Sequence, residues 1–96
     1  MRKKKQRSNL KPYLHQIIVL KGTYIKEDKE KHQYLFKNLK IIGIDEKVDH
    51  LNVKLNIKPT HKKYYLIGLV IKYNAPNKEN GCDYGLNLVW IIPAFD

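Results

Sequence analysis

Residues 50–58, HLNVKLNIK, alternate without a fault. Leu51, Val53, Leu55 and Ile57 fall on one parity, and His50, Asn52, Lys54, Asn56 and Lys58 on the other. Period two marks a strand with one face buried and one in water. Pro59 ends it, because proline cannot donate to a ladder. The same kind of pattern predicts strands at 15–25, 34–44, 64–73 and 84–92. Gly22 interrupts the first of these, as at a bulge or the corner of a barrel. The segment 64–73 is apolar on both parities apart from Lys72, so both of its faces are expected to be covered for part of its length. Between the strands lie a charged loop, KEDKEKH (26–32), a turn, DEKVD (45–49), a short connector, PTHKK (59–63), and a long turn, NAPNKENGCD (74–83). No segment carries apolar residues at convincing helical spacing; the nearest, KEDKEKHQYLFKNL, has too few of them.

Five strands in 96 residues point to an all-β domain that curls into a barrel, because closure removes exposed strand edges. The expected architecture is a small five-stranded OB-like barrel over residues 10–96, preceded by a flexible basic arm at 1–9. An SH3-like barrel is the alternative. Many OB-folds place a helix between the third and fourth strands; here only PTHKK fills that space, so the helix is expected to be missing or reduced to a turn. A chain of this size can bury a single core without disulfides or metal.

Charge adds a direction. Lys and Arg number 19 against 9 Asp and Glu, a formal charge of +10. Such a balance on a small domain attracts polyanions, either nucleic acid or an anionic membrane. The excess is uneven: residues 1–11 hold six basic groups and no acid, and residues 51–63 hold four and none. A charge serving solubility alone would spread more evenly, so these two regions are expected to share a task. No apolar run approaches the length of a membrane span, and nucleic acid is the expected polyanion. The basic start MRKKKQR leads into polar residues and not into an apolar signal segment. Cys82 is the one cysteine, so no internal disulfide can form, and a cytoplasmic location is expected.

The residue types offer little for catalysis. His15, His32, His50 and His61 stand singly, none at metal-ligand spacing from another His or from Cys82. Cys82 lies between Gly81 and Asp83 with no identifiable activating partner. Asp45, Glu46, Asp49 and His50 form the densest set of metal-ligating groups and read as a polar inter-strand turn. The expectation is a binding protein, not an enzyme, with no metal and no cofactor.

OB-folds hold single strands by combining a cationic groove with aromatic faces for stacking bases. Here the charge would come from Lys54, Lys58, Lys62 and Lys63, with Lys37 and Lys40 on the neighbouring strand and Arg2, Lys3, Lys4, Lys5 and Arg7 in the arm. Asn52 and Asn56 alternate with these lysines and can donate and accept along a backbone or base edge. Phe36, Tyr64 and Tyr65 are the expected stacking groups, with Tyr73 and Tyr84 as further candidates; of the adjacent pair Tyr64 and Tyr65, one must face outward. The chain end LVWIIPAF (88–95) is apolar on both parities, more than a small barrel readily covers. Leu88, Trp90, Ile92 and Phe95 are therefore expected either to close the barrel or to contact another protein.

The segments HQIIVLKGTYIK, YLFKNLKIIG, DHLNVKL and LIGLVIKYNAPNKENGCDYGL, in this order, resemble a group of small OB-fold-like proteins of bacteria and mobile elements. The resemblance covers about residues 15–88, with Asn52 standing where the group's pattern carries an aromatic residue. Within that group the chain looks like the members encoded beside an A-family polymerase in staphylococcal chromosome cassettes. The resemblance implies a partner to that DNA polymerase, acting with it in replication or priming.

Overall fold

The computed structural model describes residues 6–76 and 81–95. A short 3-10 helix, η1 (Gln6–Tyr13), leads into five strands: β1 (Ile17–Asp28), β2 (Gln33–Ile41), β3 (Lys47–Val53), β4 (Lys63–Asn74) and β5 (Cys82–Pro93). They form one antiparallel sheet in the order β3-β2-β1-β4-β5. The first three strands run as a meander; the chain then crosses to the free side of β1, where β4 and β5 pair. This is the connectivity of the OB-like barrel. The sheet curls until its edges, β3 and β5, face one another.

Alternation sets the core. Ile18 and Leu20 of β1, Val48 of β3, and Leu66 and Val70 of β4 all point inward and are buried. Two irregularities let long strands keep facing that core as they bend. Asn38 takes a left-handed conformation (φ 54), and Phe36 and Leu39, three residues apart on β2, both point inward. Gly22 lies opposite this point, where the β1–β2 register shifts. A Cβ there would sit 2.7 Å from Leu39 Cδ2, so the strand approaches β2 at a distance only glycine permits. On β5 another register shift, opposite Gly68, resets the parity: Leu86 is buried, and Val89 and Ile91 pack against the core. Trp90 and Ile92 are thereby turned outward.

η1 packs on β3 and β5 and sends Leu10 into the core, where it is fully buried. Asn9 Nδ2 donates to the Lys47 carbonyl at 2.7 Å, tying the helix to the start of β3. In the absence of a helix between β3 and β4, this N-terminal turn covers one end of the core. The expected arm at 1–9 is described only from Gln6 onward, where it already belongs to η1.

Several boundaries differ from the pattern-based expectation. β1 starts at Ile17 because His15 is in the left-handed region (φ 68), and it continues through the charged residues to Asp28, paired with Gln33. β2 stops at Ile41, followed by a turn containing Gly43 (φ 89). The most consequential difference concerns 50–58. The strand begins at Lys47 and ends at Val53, because its partner β2 begins at Gln33 and its ladder with β3 closes at Tyr34 opposite Val53. Beyond Val53 the alternation persists only in part: Leu55 still packs on the core, but Ile57 is 63% exposed.

Candidate nucleic-acid interface

Where β3 and β5 face one another they leave a cleft of about 570 Å³. Its β3 wall carries His50, Asn52 and, just past the strand, Lys54; the β1–β2 turn and the start of β2 add Lys31 and Gln33. Its opposite wall comes from the end of β4 (Ile71, Tyr73), from Ala75 and from the start of β5 (Asp83, Gly85, Asn87). Leu51 and Leu86, both core residues, form the floor. The cleft thus combines three amides, two lysines and an exposed tyrosine over an apolar base. Lysines can neutralise phosphates, amides can meet sugar or base edges, and an aromatic face can take a base.

Local structure holds these groups in place. The β1–β2 turn is closed by the Lys31 N–H donating to Asp28 Oδ1 at 3.3 Å and by His32 in the left-handed region (φ 55). Asp83 is buried, and its Oδ1 accepts the Tyr84 N–H at 2.8 Å. His50 Nδ1 lies 2.9 Å from Asp49 Oδ2. The acidic set of the β2–β3 turn is drawn apart, with Asp45 placed 3.8 Å from Lys40 Nζ. Among the described residues no three His, Cys, Asp or Glu side chains converge.

The expected site residues separate into groups. Asn52 and Lys54 line the cleft. Asn56 and Lys58 are exposed on the irregular segment after β3, and Lys58 Nζ lies 3.8 Å from Glu27 Oε1. They do not extend a strand face as the alternation had implied, because the ladder ends at Val53. Lys62 lines a separate groove with Thr23, Tyr24 and His61. Lys40, Lys63 and Tyr65 lie together on the convex side of the sheet with Lys21. Lys37 is exposed on β2, opposite Thr23. Arg2, Lys3, Lys4 and Lys5 lie outside the described residues, as does the side chain of Arg7.

Two expected stacking groups are corrected. Phe36 is fully buried between Tyr24 and Tyr64, with ring centroids at 5.5 and 6.1 Å, so no base can reach its face. Tyr64 is also buried, and its hydroxyl accepts the N–H groups of Thr60 at 2.6 Å and His61 at 2.8 Å. Burial alone would push that hydroxyl's pKa up, but these hydrogen bonds hold it below the usual tyrosine value. Tyr64 is an anchor for the β3–β4 connector, and Tyr65 is the outward member of the pair.

Of the apolar chain end, Trp90 is 65% and Phe95 79% exposed, and Ile92 is exposed beside them; the Leu88 side chain lies outside the described residues. Ile17, 69% exposed, was not anticipated in this group. Lys31, Gln33 and Asn87 were likewise missed as cleft residues. Asn87 carried a usable signal, as the one polar residue in LNLVW, whereas Lys31 is indistinguishable in sequence from its charged neighbours. Comparison of the chain with protein-family profiles, with curated proteins and with solved structures finds no match.

Proposed function

We propose that the protein is a nucleic-acid-binding module that holds single-stranded DNA without sequence specificity in the cleft between β3 and β5. The observation that carries this reading is the lining itself: amides, lysines and a tyrosine face one another across an open seam, flanked by the β1–β2 and β4–β5 connections. Those connections and the β2–β3 face are the parts of an OB barrel used for oligonucleotides. The net charge of +10 supplies the long-range attraction. The test is fluorescence anisotropy with a fluorescein-labelled oligodeoxythymidylate. Binding should be visible at low salt and fall steeply as salt rises, through counterion release. Lys31→Glu with Lys54→Glu should weaken it about tenfold or more, since two phosphate contacts are lost and opposed. Absence of binding by the wild-type chain at low salt would overturn the reading.

A second reading, compatible with the first, is that of an accessory subunit docked on a larger protein, for which the resemblance nominates a replication or priming polymerase. It is favoured by the outward face of β1, β4 and β5. Ile17 pairs with Leu69, and Val19 with Ile67, which pairs in turn with Trp90. The result is an apolar patch that one small barrel leaves uncovered, and such patches mark interaction sites. Co-expression with an A-family polymerase of the kind the resemblance implies should give a complex that Trp90→Ser with Ile17→Ser abolishes; a chain that never co-purifies with it would exclude this partner.

A further inference from the structure

The convex side of the sheet carries a row of side chains that crosses all five strands. Lys47 on β3 lies opposite Lys40 on β2, Lys40 opposite Lys21 on β1, Lys21 opposite Tyr65 on β4, and Tyr65 opposite Ile92 on β5. Residues directly opposite in antiparallel ladders share a face, so three lysines stand side by side on adjacent strands. At about 4.8 Å between strands, they cover roughly 10 Å. The run of lysines ends against an aromatic ring, with Lys21 Nζ 5.9 Å from the centroid of Tyr65. Lys63 joins Lys21, Lys40 and Tyr65 around one groove of about 610 Å³, and Lys40 also borders the groove that holds Lys47.

Like charges directly opposite one another weaken strand pairing. A surface selected for solubility would interleave signs, as the KEDKEK segment does. Asp45 meets Lys40 at 3.8 Å with both side chains largely exposed, and Asp49 lies against His50. Three lysines in a row beside an outward tyrosine match the charge of a polyanion backbone and the flat face of a base.

We propose that this row is a second contact for single-stranded nucleic acid, in which Lys47, Lys40 and Lys21 take successive phosphates and Tyr65 supports a base. The inference rests on the reading of the protein as a nucleic-acid binder and adds a site outside the cleft. Both sites lie along edge strand β3: Asn52 borders the cleft and Lys47 opens the row, five residues or about 17 Å apart. A strand leaving the cleft along this edge reaches the row, so the two sites together hold a longer segment than either alone.

Barrels of this kind occupy about 4–16 nucleotides, so oligodeoxythymidylates of about 5 and about 16 nucleotides separate the two contacts. Lys40→Gln with Lys47→Gln should weaken binding of the long probe about tenfold and lower its salt slope by roughly 1.4, two contacts at about 0.7 each for single strands. The short probe, held by the cleft, should be unaffected, and the melting temperature should be unchanged or raised. Lys26→Gln with Lys29→Gln is the control of equal charge. If the row variant and the control weaken the long probe equally, or if neither changes it, the proposal is overturned. If the row variant acts while Lys31→Glu with Lys54→Glu does not, the row stands and the cleft reading fails.

Discussion

A Cβ added at Gly22 would meet Leu39 Cδ2 at 2.7 Å, Leu39 Cγ at 2.9 Å and the Lys37 carbonyl at 3.3 Å. Leu39 is buried and cannot swing away, and the carbonyl belongs to the ladder. Gly22→Ala should therefore cost about 1–3 kcal/mol, the range for an overpacked core. That exceeds the ~0.4–1 kcal/mol that the alanine recovers by restricting the unfolded chain. Chemical denaturation should show this loss, and in a Leu39→Ala background the same change should cost little, because the colliding atoms are gone. An equal cost in both backgrounds would place the need for glycine in the backbone instead. The sequence made Gly22 legible as a break in a strand but not as a point of contact. Its partner lies 17 positions on, and the register that joins them is a property of two strands together. Tyr64 and Tyr65 show the same limit. Adjacency dictates that one faces out, but the choice depends on which parity of β4 meets the core.

At the scale of elements, alternation reported the faces of residues 51–55 correctly, but not the parity breaks within β2 and β5 or the strand ends. Leu51 and Val53 are buried as their parity requires, yet the strand stops at Val53, where its ladder with β2 closes opposite Tyr34, one residue from β2's start at Gln33. A strand's length is set by its neighbour, and one segment's pattern does not contain that neighbour. The cleft was half legible for the same reason. Asn52 and Lys54 stand in a visible amide-and-lysine pattern, whereas Lys31, Tyr73 and Asn87 come from three other segments that only the topology brings together. The N-terminal 3-10 helix has no apolar periodicity to announce it; Leu10 is its one fully buried side chain among the described residues. Leu10→Ala should lower stability by about 2–5 kcal/mol, as for other buried leucines. Removal of residues 1–5 alone should leave the melting temperature within a few degrees, because Asn9 and Leu10 still anchor η1. Thermal melts followed by circular dichroism test both. A Leu10→Ala melt superimposable on wild type would mean that η1 contributes nothing to the core.

Across the whole molecule, the charge of +10 repels itself in the folded state more than in an expanded chain. Added salt screens that repulsion between exposed groups over a Debye length of about 10 Å at 0.1 M. The melting temperature should thus rise between very low and moderate ionic strength, while oligonucleotide affinity falls over the same interval. A melting temperature that falls on adding salt would indicate that attractive ion pairs dominate. Opposite salt responses of stability and affinity would tie both to one population of lysines.

The seam between β3 and β5 has a mechanical consequence. Every hydrogen-bonded ladder of the sheet lies on the other side of the cylinder, through β2, β1 and β4. Widening the slot flexes the sheet's curvature and shifts η1 where it packs on both edges, but no ladder bond has to break. A slot that adjusts in this way can admit a purine or a pyrimidine at nearly the same energetic cost, so indifference to base identity would follow from compliance of the wall as much as from the chemistry lining it.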